Sequence, residues 1–141
     1  RSRCMSGYPL CTGLDTSFVL RLLLGEPIDQ TAKAVEKLDE LKGRGDKGAV
    51  SDLVVSEAYF ALQYHYDVPK QLALNKLREF LQSSEIEATG QSLDVLAQSN
   101  LGRAKPGFVD RMIHAEYLQT TSGMLTFEKA AAKLNKVTIP D

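Results

Sequence analysis

Apolar residues follow two alternating patterns along the chain. Short apolar runs bounded by glycine, proline or polar residues predict five strands, at residues 8–14, 49–51, 85–88, 124–127 and 137–139. Between these runs, apolar residues recur at steps of three or four, which is the period of a helix with one buried face. The predicted helices cover residues 18–24, 27–42, 53–66, 69–81, 93–99, 108–121 and 128–134.

Strands that alternate with helices within one short chain predict an α/β domain. The expected architecture is a three-layer α/β/α sandwich with a mostly parallel sheet of four to five strands. A chain of 141 residues has room for one core but not for two, so we predict a single domain over residues 8–141. Residues 1–7 are predicted to be a flexible segment. Residues 1–4 are predicted to be left from cloning, because Met5 is a candidate natural start.

Apolar stretches and cysteines bear on where the protein resides. No apolar run approaches the roughly 20 residues that span a bilayer, since Arg21 interrupts the longest candidate, residues 18–24. The first residues also lack the apolar core and cleavage site of a signal peptide. Cys4 and Cys11 match no metal or redox spacing. We therefore predict a cytoplasmic protein with reduced thiols and no membrane partner.

The overall charge is close to neutral. A net charge of -1 and a pI near 6.2 argue against a protein that binds nucleic acid through bulk positive charge. A metal-dependent nuclease is compatible with this balance, because it needs an acidic pocket and a local basic rim. The candidate rim residues, which could equally form a solvated face, are Arg103, Lys105, Arg111, Lys129 and Lys133.

Four acidic residues lie where an apolar run meets a helical stretch: Asp15, Glu57, Asp110 and Glu128. In a parallel α/β domain the carboxyl ends of the strands border one crevice, where ligands bind. Carboxylates gathered there repel one another unless a cation neutralises them. The sequence therefore predicts a divalent metal site, and phosphodiester hydrolysis is the chemistry that this arrangement favours.

Four sequence motifs in this order resemble the PIN domain, and in particular its VapC-type toxins. They are Leu-Asp-Thr-Ser at residues 14–17, Val-Val-Ser-Glu at 54–57, Phe-Val-Asp-Arg-Met-Ile at 108–113 and Leu-Thr-Phe-Glu-Lys-Ala-Ala at 125–131. The resemblance extends from about residue 10 to residue 139. It implies an endoribonuclease that depends on Mg²⁺ or Mn²⁺, forms a homodimer and is held inactive by an antitoxin protein.

The resemblance also implies roles for individual acids. Asp15, Glu57 and Asp110 match three family positions and would bind the metal. Glu128 stands where relatives more often carry aspartate, and its longer side chain would have to fold back, shift the ion or act through a water molecule. Gly107 stands where relatives often carry an additional acid. Residues 134–137 replace a commoner Leu-Pro-Gly turn, which concerns only the edge strand.

The expected chemistry is in-line attack of water on an RNA phosphodiester, with one or two metal ions activating the water. All four acids are candidate catalytic residues. The small hydroxyl residues Thr16, Ser17 and Thr126 lie beside them and could orient a carboxylate, as groups outside the metal's own ligands commonly do. The predicted RNA contacts are Arg103, Lys105, Arg111 and Lys129.

Each acid also has a purely structural interpretation. Asp15 could cap a helix, and Asp110 and Glu128 could favour the positive end of their own helices. Glu57 lies in a mostly apolar segment, where an unpaired carboxylate is costly, so its structural interpretation is weaker. The joint occurrence of the four favours a site.

Other residues with chemical potential have simpler explanations. For Tyr59, Phe60, Tyr64 and Tyr66, packing in the core or in a dimer is favoured over stacking against bases. His114 follows Asp110 by four residues, so the two can meet on one helix face.

Two further functions compete with a ribonuclease. The first is a catalytically weak or inactive binding module, whose acidic pocket would receive a basic segment of a partner protein. The second, a dehalogenase-like phosphatase, is disfavoured because it requires an aspartate where Ser17 stands.

Overall fold

The computed structural model describes residues 11–141, which form short strands and longer helices in alternation. The strands are β1 (Cys11–Gly13), β2 (Lys47–Val50), β3 (Ile86–Ala88), β4 (Met124–Leu125) and β5 (Val137–Thr138). The helices are α1 (Thr16–Leu24), α2 (Ile28–Gly43), α3 (Asp52–Tyr64), α4 (Lys70–Gln82), α5 (Ser92–Leu96) and α6 (Phe108–Thr120). Two 3₁₀ turns, Leu101–Arg103 and Lys129–Lys133, precede α6 and β5. The α/β class is confirmed.

The five strands are all parallel, as expected, but their hydrogen bonds divide them into two sheets. The first sheet has the order β1-β2-β3, and the second contains β4 and β5. The second sheet is short because β4 and β5 share only two residue pairs, Met124 with Val137 and Leu125 with Thr138. The beginning of the first predicted strand, residues 8–10, lies outside the described residues.

The register of the first sheet aligns the carboxyl ends of its strands. Gly13 pairs with Ala49, and Val50 pairs with Ala88. The chain therefore leaves all three strands at the same edge, and α1 and α3 begin there. Their first residues, and the acids that accompany them, share this edge.

The core is formed mainly by α3, α4 and the strands. Val50, Val55, Leu62 and Leu77 are completely buried. Phe108, at the start of α6, is also buried, and its ring meets Tyr59 of α3 edge-on with 5.1 Å between ring centroids. This contact joins the helix that carries Asp110 to the helix that carries Glu57.

A carboxylate that the sequence did not single out fixes the same edge of the sheet. Asp52, the first residue of α3, accepts hydrogen bonds from the main-chain N–H groups of Gln91 (2.9 Å) and Ser92 (3.0 Å). These are donors at the start of α5 that no helical carbonyl can satisfy. A Cβ atom at Gly90 would overlap the Asp52 carboxylate, so glycine is the residue that permits this approach.

The prediction of reduced thiols is wrong for Cys11, which is disulfide-bonded. Cys4 lies outside the described residues. Spacing along the sequence does not reveal whether two cysteines approach within the roughly 4.4–6.8 Å between Cα atoms that a disulfide needs. Because disulfides persist mainly in oxidising compartments, the cysteines no longer support a cytoplasmic location. Among residues 11–141, every helix falls short of the length and apolar character that crossing a membrane requires.

Candidate active site

Asp15 lies in the turn between β1 and α1, where it caps the helix. Its Oδ1 atom accepts hydrogen bonds from the main-chain N–H of Phe18 (3.0 Å) and from the hydroxyl of Ser17 (2.7 Å). The hydrogen bond from Phe18 is the main cause, and that from Ser17 the next, that lowers the pKa of Asp15 below its ordinary value. The exposed carboxylate is therefore ionised at neutral pH, which a metal ligand requires.

Glu57 lies in the second turn of α3, beside Thr16, the residue that follows Asp15 in the chain. The Thr16 hydroxyl donates a hydrogen bond to Oε1 of Glu57 at 2.5 Å. Glu57 is exposed, so the argument that it lies in an apolar environment is wrong. Its neighbours Val55 and Ala58 are fully buried, but the helix turns Glu57 away from them toward solvent. The two acids, 42 positions apart, come together at the edge where α1 and α3 begin.

Asp110 lies in the first turn of α6 and is exposed. Gly107 is the cap residue of this helix, so Asp110 does not cap it. The Asp110 side chain lies between two depressions. One, of about 230 Å³, is also lined by Lys70 and by aromatic residues of α3. The other, of about 190 Å³, is also lined by Glu128.

Glu128 precedes the second 3₁₀ turn and caps it. Its Oε1 atom accepts a hydrogen bond from the main-chain N–H of Ala130 at 3.1 Å. Thr126 in turn accepts a hydrogen bond from the main-chain N–H of Glu128 at 3.0 Å. Thr126 and Glu128 line the smaller depression together with Asp110, so the second pair of acids faces one space.

The structure thus places the four acids in two pairs, Asp15 with Glu57 and Asp110 with Glu128. Within residues 11–141, no three His, Cys, Asp or Glu side chains lie close enough to hold a metal ion together. Mg²⁺ is usually bound through one or two carboxylates, with water completing its octahedral shell. Paired, exposed carboxylates with hydroxyl neighbours fit this mode of binding.

The predicted basic rim has two parts. Arg103, Lys105, Lys129 and Lys133 are exposed. Arg111 is half-buried and donates to the main-chain carbonyls of Pro106 (2.7 Å) and Lys105 (3.4 Å) and to the side chain of Gln98 (3.2 Å). Arg111 therefore fixes the loop that leads into α6, and its contact with RNA stays a prediction.

His114 connects α6 to the end of the chain. Its ring is buried, and Nε2 lies 2.7 Å from the main-chain oxygen of Asn135, to which it donates when that nitrogen is protonated. The sequence had suggested a contact with Asp110, whereas the observed partner lies in the segment that precedes β5.

The aromatic residues of α3 separate into two groups. Tyr59 is buried, as the core interpretation predicted. Phe60 and Tyr64 stack with 6.2 Å between centroids, and they are 44% and 80% exposed, so they are not core residues. They line the larger depression together with Lys70, which the sequence analysis missed. In the sequence, the feature that could have indicated Lys70 is its position directly after Pro69, at the start of a helix.

A comparison with protein families identifies the PIN domain. The model of the PIN domain matches residues 13–137, which is most of the chain. A search of curated proteins finds no significant sequence match.

Proposed function

The chain belongs to the PIN domain family, whose members are generally nucleases, and from this premise we propose that it is a metal-dependent endoribonuclease. We further propose that it is the toxin of a type II toxin–antitoxin pair. One observation carries the nuclease proposal: Asp15, whose carboxylate accepts hydrogen bonds from Phe18 and Ser17, is followed by Thr16, whose hydroxyl donates to Glu57, at the carboxyl ends of a parallel sheet.

Asp15 and Glu57 would hold Mg²⁺ or Mn²⁺ with water completing its shell, and Asp110 and Glu128 would reach the ion through that water, because no three of these carboxylates lie close enough to bind it directly. When bound, the ion supplies activation of water and neutralises charge on the phosphoryl oxygens. The chain itself supplies position. Ser17 donates a hydrogen bond to Oδ1 of Asp15, and Thr16 donates one to Oε1 of Glu57, so these bonds restrict the orientation of both carboxylates.

The RNA substrate would lie across exposed acids that are bordered by exposed cations. Arg103, Lys105 and Lys129 are candidate phosphate contacts near Asp110 and Glu128 in the sequence. Lys70 shares a depression with Asp110 and adds a further cation beside it. We propose that the protein acts in the cytoplasm, where RNA substrates are found, although the disulfide of Cys11 does not favour that location.

A second candidate function is the catalytically weak or inactive binding module. The observation that favours it is that Glu128 already uses Oε1 to cap the turn at Ala130, which restricts its freedom to reach a metal. In that case the acidic pocket would bind a basic segment of a partner protein.

Substitution of Glu128 by aspartate separates the two candidates. The shorter aspartate keeps a cap of similar quality and restores the geometry that Mg²⁺ prefers. If the chain is an attenuated enzyme, we expect cleavage of a structured RNA in Mn²⁺ to rise about tenfold, which corresponds to about 1.4 kcal/mol of transition-state stabilisation. Cleavage by neither protein would reject the enzyme and favour the binding module. Glu116, exposed on α6, provides the matched control Glu116→Asp.

We propose that an antitoxin protein silences the site with a basic side chain. Paired carboxylates attract an arginine or lysine by the same charge that attracts a cation. An antitoxin tail and Mn²⁺ should therefore compete, and the measurement is Mn²⁺ affinity at increasing concentrations of an arginine-containing peptide. Simultaneous binding with undiminished affinities would contradict this proposal.

We also propose a homodimer, with the exposed pair Phe60 and Tyr64 in its interface. Exposed aromatic side chains of this size are enriched in protein interfaces. Sedimentation velocity of the wild type should show a dimer, and the double variant Phe60→Ser/Tyr64→Ser should shift it to the monomer. A wild type that is monomeric at high micromolar concentration would reject the proposal.

A further inference from the structure

A groove between α1 and α2 has a composition that the candidate site does not explain. It has a volume of about 370 Å³, and its lining includes Ser17, Arg21, Gln30, Lys33 and Lys37. Three of its lining residues are cations and none is acidic. The stems of these residues and neighbouring apolar side chains form the walls. This composition is complementary to an anionic ligand.

Arg21 is held in place by neutral groups. Its Nη1 donates to Oε1 of Gln30 at 3.1 Å, and its Nη2 lies 3.4 Å from the hydroxyl of Tyr66. Its Nε is buried and has no hydrogen-bond partner among the described residues. Among residues 11–141, no carboxylate forms an ion pair with Arg21. A partly buried cation without a counter-ion is costly, and an anion bound beside its exposed Nη atoms would lower that cost.

One lining residue of the groove contacts a candidate acid. Ser17 lines it and donates its hydroxyl to Asp15. Arg21 lies four residues further along α1, which is about 6 Å along the helix axis. A ligand in the groove therefore approaches Asp15 from the side of α1. The exposed rim residues Arg103, Lys105 and Lys129 lie instead around α6 and the second 3₁₀ turn.

We propose that this groove binds the phosphodiester backbone of the RNA strand next to the cleaved bond. The planar guanidinium of Arg21 binds a phosphate through two donors, and Lys33 supplies a second contact. Lys37, which pairs with Glu40 at 3.1 Å, adds a weaker one. This inference rests on the proposed ribonuclease function and names the elements that hold its substrate, which are α1 and α2.

The test measures RNA binding without metal, so that it is independent of cleavage. The affinity of a single-stranded RNA oligonucleotide is measured in EDTA at several salt concentrations. Each lost phosphate contact on a single strand lowers the slope of log K against log salt by about 0.7. We expect this decrease for Arg21→Gln and for Lys33→Gln, and about 1.4 for the double variant. Because Lys33 is exposed, its variant stays informative if Arg21→Gln is unstable.

Arg44→Gln is the matched control. Arg44 lies between α2 and β2 and pairs with Asp46 at 3.2 Å. The slope of log K against log salt for Arg44→Gln should therefore equal that of the wild type. Unchanged slopes in both groove variants, or no RNA binding by the wild type, would overturn the inference. If the wild type still cleaves RNA in Mn²⁺, the proposed function survives this failure; if it does not, both fail. Tighter binding of poly-glutamate than of RNA under the same salt, with the same dependence on Arg21, would assign the groove to an acidic protein segment and overturn the RNA assignment.

Discussion

Replacement of Asp15 by asparagine is expected to reduce RNA cleavage by about 1000-fold and to leave the fold intact. A loss of this size corresponds to about 4 kcal/mol, within the several kcal/mol that a correctly held metal ion contributes to the transition state. Asparagine caps a helix as well as aspartate does, so the hydrogen bond from Phe18 is retained. The measurements are kcat/KM with Mn²⁺, Mn²⁺ affinity by calorimetry, and Tm.

Asp39→Asn is the control for this experiment, because Asp39 is exposed on α2 away from the four acids. The pH dependence of stability gives a second check. The pKa of Asp15 is lowered in the folded state, so its stabilising contribution is present above its unfolded value and is lost as pH falls through the folded pKa. The stability difference between wild type and Asp15→Asn should therefore shrink in strong acid. Cleavage within threefold of the wild type would refute a metal role for Asp15.

Replacement of Phe108 by alanine is expected to lower the free energy of unfolding by about 3–5 kcal/mol. Phe108 is 1% exposed and packs edge-on against Tyr59, so its removal leaves a cavity between α6 and α3. Because Asp110 lies two residues further along α6, cleavage should also fall at temperatures where the protein stays folded. Urea unfolding gives the first quantity, and kcat/KM gives the second.

Phe127→Ala is the matched control for Phe108→Ala. Phe127 is 81% exposed, so the same truncation there should change the unfolding free energy by no more than about 0.5 kcal/mol. Equal losses for the two variants would show that Phe108 does not anchor α6 to α3.

The helices were predictable because their signal is local. Many of the recurring apolar residues of α3 and α4 are buried, among them Val55, Leu62 and Leu77, whereas Leu53 and Leu72 are exposed. The positions of the strands were predicted to within a few residues, but the pairing between the strands was not predicted. Residues 124–127 read as a four-residue strand, yet β4 has two residues because its only partner among the described strands is β5. Strand pairing joins residues that are distant in the sequence, so the local pattern of apolar and polar residues does not reveal it.

The candidate site shows the same division between local and distant contacts. The capping role of Asp15 followed from its position before α1, and a carboxylate that caps a helix can also bind a metal, so the two interpretations do not exclude each other. The hydrogen bond from Thr16 to Glu57 joins residues 41 positions apart, so no spacing rule reveals it. The sequence pattern showed Arg21 only as an interruption of an apolar run. An isolated arginine on an otherwise apolar helix nevertheless indicates a cation that is held in a fixed position.

The division of the strands into two sheets has a consequence for the site. Asp15 and Glu57 adjoin the three-stranded sheet, whereas Glu128 follows the last residues of β4 in the two-stranded one. Among the described residues, no main-chain ladder crosses from one sheet to the other, so side-chain packing sets the gap between the acid pairs. The gap between the two acid pairs can therefore narrow or widen around a bound ligand without breaking a hydrogen bond between strands.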